Sequence, residues 1–381
     1  MKLVFAIKSL YSVAGGAERV ICLICSQLSK RGHNVVLITC DQEGQIPFFR
    51  LDERVKRINL GIGDAGTSSS FGVTLLRMKA LRHIIKEQCP DVVIGFMHSM
   101  FIPLSFSLAG TQIPLIGSEH TVPEYYRQRL LERILLVMAI PFVKKITVLS
   151  ESIRRLYPAT LQHKMVMMPN PMENLSEYVN VKVIKDRFTL LCVGRLVDFK
   201  NHKTLIRAFA KIANEFPRWD LKIIGEGVLR PDLEMLARSL NIRNRLIMPG
   251  NTKLIDDEYQ AADLFVIPSL FEAFGMVTAE AMSHGLPVVG FSNCSGTNEL
   301  IESGRTGVLV DSSDDPESSL AGTLKMLMEN PELRHKLGVE GKVAIENRFS
   351  IHNVSDKWET LLVKIVSSKK SFKNDYLKDQ Q

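Results

Sequence analysis

Several features are absent from this chain of 381 residues, and each absence removes a class of protein. No apolar run approaches the roughly 20 residues that cross a bilayer as a helix. The longest, Ile134 to Val143, has ten residues and contains Pro141. The apolar part of Met1 to Lys8 is short of the roughly 7–15 residues of a signal peptide and suits a first strand better, so the protein is expected in the cytoplasm. The six cysteines, at 22, 25, 40, 89, 192 and 294, lie in or beside apolar runs, so no disulfide framework is expected. Cys22 and Cys25 have redox or zinc spacing, but they fall inside a helical pattern with no second Cys/His pair nearby and read as core. No basic tract of five or more residues, zinc-finger spacing or aromatic-rich basic sheet pattern is present, which argues against nucleic acid. No repeat of solenoid length occurs. Asp-x-Asp, a spacing that holds a divalent cation, occurs nowhere, and no metal is expected.

The composition is that of a globular protein, 45% apolar and 23% charged. The length suits two domains, each large enough to bury a core. Residues 1–172 and 183–349 read as these domains, with a polar linker at Met172 to Asn180. Residues 350–381 hold a helical segment, Ile351 to Val366, and a polar, lysine-rich end from Ser367 to Gln381 that is expected to fray. Charge is uneven: residues 1–175 carry 21 Lys+Arg against 13 Asp+Glu, within a net +7 for the whole chain. Two stretches concentrate the basic excess, Phe71 to Glu87 with Arg77, Lys79, Arg82 and Lys86, and Tyr125 to Lys145 with Arg127, Arg129, Arg133, Lys144 and Lys145. Both alternate these cations with leucine, isoleucine and methionine. They read either as helices for an anionic membrane surface or as ordinary half-buried helices with charged outer faces.

The most informative stretch is Glu272-Ala273-Phe274-Gly275-Met276 through Glu280. An apolar strand ended by Pro268 precedes it, and a helix closed by Gly285 contains its second carboxylate. Both glutamates therefore fall at the carboxyl end of a parallel strand, where open α/β sheets bind ligands. The N–H groups at the helix start suit an anion. Alone, Glu272 reads equally well as a cap-region charge and Glu280 as a solvated helix residue. Arg195 and Lys200, in a loop after the run Phe188 to Val193, can converge on a diphosphate, one as a fork and one as a point charge, or can sit in a solvated turn. Gly15 and Gly16 open a long helix after the first strand and allow close backbone approach. The dinucleotide pattern Gly-x-Gly-x-x-Gly is incomplete there and at Gly225-Glu226-Gly227.

In order, these pieces and others resemble the retaining glycosyltransferases of family 4, with the GT-B fold. The resemblance runs through Gly15-Gly16-Ala17-Glu18-Arg19, Ser118-Glu119-His120, Pro169-Asn170-Pro171, Gly194-Arg195-Leu196 with Lys200, Gly225-Glu226-Gly227, and Glu272 to Glu280. Asn298-Glu299 and Gly304-Arg305-Thr306-Gly307 resemble the family's tail, so nearly the whole chain is covered. The resemblance implies two Rossmann-like α/β domains, the first for the acceptor and the second for the nucleotide-sugar donor, with the last helix returning to the first domain. It implies transfer of a hexose or N-acetylhexosamine to a lipid-linked or polysaccharide acceptor, in bacterial surface-glycan assembly of the O-antigen or lipid-linked-oligosaccharide kind. The enzyme would be peripheral on the cytoplasmic face of the inner membrane. Uridine diphosphate is the commonest carrier in the family and is the expected one.

The resemblance also distributes roles. With no Asp-x-Asp, Arg195, Lys200 and the turn at Gly15 and Gly16 would stabilise the leaving diphosphate. Glu272 would face the donor sugar, with the N–H groups of Phe274, Gly275 and Met276 lining the pocket. Glu280 would accept hydrogen bonds from the ribose hydroxyls. The base would lie over Gly225-Glu226-Gly227 and Met248-Pro249-Gly250. Asn170 would belong to the nucleotide-sugar site, and His120 would sit beside the transferred sugar. Glu18 and Arg19 read as diphosphate or acceptor ligands, or as caps of the first helix. Ala273, His284 and Cys294-Ser295-Gly296 depart from the family's usual small residues and glycines. Two other readings remain: a nucleotide-sugar epimerase of the same fold, which needs no acceptor, and a non-catalytic nucleotide-sugar-binding protein.

Overall fold

The computed structural model of the chain describes residues 1–11, 15–63, 70–126, 129–173 and 186–378. The contacts divide it into two units, Met1–Pro171 with Ile351–Gln381, and Met172–Ser350. Most of the linker expected at Met172 to Asn180 lies outside the described residues, as does Arg127.

The first unit holds seven strands, β1 (Lys2–Ala6), β2 (Asn34–Thr39), β3 (Lys56–Asn59), β4 (Val92–Phe96), β5 (Leu115–Ser118), β6 (Lys145–Val148) and β7 (Met165–Met167), in the order β3-β2-β1-β4-β5-β6-β7. All pair in parallel. Parallel strands need helical crossovers, and helices on both faces require strands apolar on both sides. β1 and β4 meet this as unbroken buried runs. The helix Gly16–Lys30 turns Val20, Ile21, Ile24, Cys25 and Leu28 inward at helical spacing. Strand order reverses between β1 and β4.

A helix from the other end of the chain, Ile351–Lys378, completes this unit. Trp358 is buried with its ring 6.3 Å from Phe5 and 6.2 Å from Phe96. Arg31 bonds Asp356 at 2.5 Å and Glu359 at 2.6 Å, and His33 Nε2 lies 2.8 Å from Glu359. The helix runs on through Lys378, so the segment expected to fray from Ser367 is helical over most of its length.

The second unit holds β8 (Phe188–Val193), β9 (Trp219–Ile224), β10 (Leu246–Gly250), β11 (Leu264–Ile267), β12 (Val288–Phe291) and β13 (Val308–Val310), in the order β10-β9-β8-β11-β12-β13. These too are parallel. Leu205 and Phe209 of the helix His202–Ile212 pack on the sheet with Leu320 and Leu324 of the helix Pro316–Glu329. Order reverses between β8 and β11, and the loops after these two strands therefore lie at the position where ligands of such sheets bind.

Candidate functional site

Those two loops carry Arg195 and Lys200 after β8, and Glu272 after β11. The chain leaves β8 through Gly194, makes a single 3-10 turn at Asp198–Lys200, and passes through Asn201 at φ 55° into the helix His202–Ile212. This turn puts the Lys200 ammonium on Glu272. Nζ donates to Oε1 at 2.5 Å, and the hydroxyl of Ser269 donates to the same oxygen at 2.7 Å. Both charged side chains are largely buried, 11% and 12% exposed. The loops are tied by Leu270 N–H donating to the Phe199 carbonyl at 2.9 Å and by Phe199 stacking on Phe271 at 4.9 Å. Arg195 is exposed and stands apart from the ion pair, its guanidinium 5.8 Å from the Phe199 ring that Lys200 approaches at 5.7 Å. The two cations thus flank one aromatic ring.

Behind the loop, His202 Nε2–H donates to the Arg195 carbonyl at 3.2 Å while Nδ1 faces the Cys192 thiol at 3.6 Å. Burial lowers the His202 pKa to about 4, so the ring is neutral. The glycines fit backbone to backbone. A Cβ on Gly225, at φ 140°, would lie 2.0 Å from the Gly194 carbonyl oxygen. The contact is held by Gly194 N–H to Ile224 at 2.9 Å and by Gly225 N–H to Gly250 at 3.0 Å. Glu226 is exposed, with its carboxylate 3.4 Å from Arg230. Gly275, at φ 83°, starts the helix Met276–Ser283. Glu272 N–H donates to Ser295 at 3.0 Å, and a Cβ on Gly296 would lie 2.5 Å from the Glu272 carbonyl. The Phe274 side chain is buried against Phe349, ring centroids 5.3 Å apart. Glu280 Oε2 accepts from the Tyr259 hydroxyl at 2.9 Å.

In the first unit, Gly15 caps the helix Gly16–Lys30 at an ordinary φ of −96°. What it supplies is space, since a Cβ there would lie 2.1 Å from Glu18 Oε2. Glu18 therefore folds over the helix start as a first-turn carboxylate, with its pKa raised by burial. His120 follows β5, stacked on Phe96 at 4.9 Å. Thr147 donates to Ser118 Oγ at 2.9 Å, and Ser118 Oγ shares a hydrogen bond with His120 Nε2 at 3.0 Å. His120 Nδ1 is buried and has no hydrogen-bond partner among the described residues. Burial lowers the ring's pKa to about 4. Asn170 is also buried, with Oδ1 unpaired among the described residues.

The turn that aims His120 is built by Glu119. Its buried carboxylate accepts from His120 N–H at 3.0 Å, Thr121 N–H at 3.1 Å, the Thr121 hydroxyl at 2.6 Å and the Tyr126 hydroxyl at 2.5 Å. Burial pushes its pKa up, but His98 and these donors outweigh it, and the net shift is downward. Sequence reading singled out neither Glu119 nor Ser269, Phe271 or Tyr259 for a role of its own. Ser269 alone had a local signal, three residues before Glu272 at the strand's end. Among the described residues no group of three or more His, Cys, Asp or Glu side chains is placed to hold a metal ion.

Two Rossmann-like units, one with a lysine–carboxylate pair at its strand-order reversal, define a GT-B glycosyltransferase. Family models agree: "Glycosyltransferase Family 4" matches residues 14–173 and "Glycosyl transferases group 1" matches residues 176–343. The chain belongs to the family 4 glycosyltransferases of the GT-B fold. A Haemophilus influenzae protein described as an uncharacterized glycosyltransferase is 27% identical, over 92% of this chain and 96% of its own length. A Campylobacter jejuni α-1,4-N-acetyl-D-galactosaminyltransferase, named for a diphospho-undecaprenol-linked acceptor, is 26% identical over 96% of this chain and 99% of its own. Sucrose-phosphate synthase from Thermosynechococcus elongatus shares the fold at a TM-score of 0.83 and 17% identity, covering 97% of this chain and 100% of that one. Anabaena HepE, solved with UDP and glucose, does so at 0.76 and 19%, covering 96% and 100%. The epimerase reading is not favoured beside relatives named for transfer.

Proposed function

We propose that the protein moves a hexose or N-acetylhexosamine from a UDP-sugar to a lipid-linked or polysaccharide acceptor, with retention at the anomeric carbon and without a metal ion. The observation that carries this is the Lys200–Glu272–Ser269 cluster at the strand-order reversal of the second unit. Breaking the bond from the anomeric carbon to phosphate oxygen leaves negative charge on the diphosphate and positive charge on the sugar. Lys200 and Arg195 meet the first, and the Glu272 carboxylate faces the second. Glu280 accepts hydrogen bonds from the ribose hydroxyls, and the base lies over Gly225-Glu226-Gly227. In the first unit His120, whose buried Nδ1 has no hydrogen-bond partner among the described residues, serves a hydroxyl of the transferred sugar. The acceptor hydroxyl attacks from the side the diphosphate leaves and gives its proton to the leaving phosphate oxygen, so no protein nucleophile takes part. The name of the Campylobacter relative supports a lipid-linked acceptor.

The same reading places the enzyme on the cytoplasmic face of the inner membrane, held there peripherally. No described helix is long and apolar enough to cross a membrane. The helix Leu130–Ala139, however, buries only Leu136 and Ala139, and Leu130, Leu131, Ile134, Val137 and Met138 stand exposed beside Phe142, with Arg133 and Lys144. An apolar stripe edged by cations suits an anionic lipid surface. The helix Phe71–Gln88 supports this less, because Arg77 bonds the Ile62 carbonyl and Arg82 those of Ser107 and Ala109.

The test incubates the purified protein with nucleotide sugars, with and without a polyprenyl-diphosphate saccharide, in EDTA. Acceptor-dependent release of UDP, with one sugar mass gained by the acceptor, is expected. Isomerised donor without acceptor, or loss of turnover in EDTA, would overturn the acceptor-dependent or the metal-free part respectively.

A further inference from the structure

Glu280 is held at both ends by residues that no step of the transfer uses. Tyr259, from the helix Ile255–Ala261, is fully buried, with its ring 6.0 Å from Phe265 of β11 and 5.0 Å from His284. Packing on these neighbours fixes the phenol oxygen, and its hydroxyl donates to Glu280 Oε2 at 2.9 Å. His284, one of the departures from the family's small residues, sits at the far end of the helix Met276–Ser283. Its Nδ1–H donates to the Glu280 carbonyl at 2.8 Å, and its Nε2 lies 3.4 Å from Asp256. A glutamate side chain turns about three bonds, and a carboxylate that accepts two adjacent hydroxyls must present its lone pairs in one plane. Fixing that plane before the ligand arrives removes an ordering cost from binding. A phenol donating to an ionised carboxylate is a strong, directional way to fix it.

We propose that Tyr259 is a positioning residue that sets the Glu280 carboxylate for the ribose diol of the nucleotide, with His284 fixing the backbone from which that carboxylate hangs. The inference rests on Glu280 as the ribose acceptor. Tyr259 thereby helps the site to distinguish a ribonucleoside diphosphate from one lacking the 2′- and 3′-hydroxyls.

Titration calorimetry tests this with whichever of UDP, GDP, ADP and CDP binds the full-length protein most tightly, and with its 2′,3′-dideoxy counterpart. Tyr259→Phe keeps the ring and removes only the hydroxyl. It should weaken the ribonucleotide about tenfold and leave the dideoxy form unchanged, the second result also showing that the variant is folded. Glu280→Ala should abolish the preference for ribose. If Glu280→Ala does so and Tyr259→Phe does not, or if Tyr259→Phe weakens both nucleotides equally, the positioning role is overturned while the ribose assignment stands. Should Glu280→Ala leave the preference intact, or the wild type bind none of the four, the ribose assignment itself fails and takes the inference with it.

Discussion

At the scale of single residues, the electrostatics of the site rest on Lys200 and Glu272, each largely withdrawn from water and paired at 2.5 Å. On the proposed roles, removing the cation takes away one stabiliser of the leaving diphosphate and strands a carboxylate beside the donor sugar. Lys200→Met should therefore lower turnover by about 10²–10³. The double variant with Glu272→Gln should be no slower than the slower single variant, because the two act as one unit. Additive losses in steady-state rates would show that they act separately. Two buried histidines make a second prediction. His120 and His202 have pKa values lowered from 6.5 to about 4 by burial. Between these values an unfolded chain takes up protons that the folded one refuses. Stability is thus full above pH 6.5 and falls on acidification, by up to about 1.4 kcal/mol per pH unit for each ring. Urea denaturation should show the gap between wild type and His202→Gln shrinking from pH 7 to pH 5, and a constant or widening gap would contradict it. Sequence reading found Lys200 and Glu272 because each follows an apolar strand. That they bond each other depends on which strands are neighbours, a fact no local window contains. It also placed Arg195 and Lys200 in one loop where both can reach a diphosphate; that they flank the Phe199 ring follows from the turn at Asp198–Lys200, which no local window shows.

At the scale of elements, the glycine loops are the scaffold that places those side chains. Gly225→Ala would drive a methyl group into the Gly194 carbonyl from a backbone conformation that alanine resists. A loss of about 2–4 kcal/mol is expected. Gly322, in the helix Pro316–Glu329 with open space around it, gives the contrast. There alanine should stabilise by up to about 1 kcal/mol through helix propensity. Thermal melts of the two variants moving in the same direction would refute this account of the loop. The helix Leu130–Ala139 shows where pattern reading stops. Its alternation of apolar and basic residues was plain in the sequence, but the pattern fits a helix facing inward as well as one facing outward. The fold leaves most of its leucine side outside. Ile134→Lys should then cost little stability and cut binding to phosphatidylglycerol vesicles about tenfold in a flotation assay. Unchanged binding would remove this helix as the point of attachment.

At the scale of the whole molecule, the central strands were legible as apolar runs such as Leu3 to Ile7 and Phe188 to Val193, whereas an edge strand such as Lys56–Asn59 is polar and half-exposed and gave no such signal. The extent of the last helix was not legible either, because its polar end gives no sign of order on its own, while its start is anchored by Trp358 against Phe5 and Phe96. That anchor also fixes an order of events during synthesis. The first unit to be translated lacks the helix that covers Phe5 and Phe96 until Ile351–Lys378 has left the ribosome. The unit Met172–Ser350 is contiguous and can close first. At about 5–20 residues per second the amino-terminal sheet waits for roughly 10–40 s with an aromatic face uncovered. Chaperone capture of nascent chains should therefore be strongest in that interval, although the residues captured were among the first to be made.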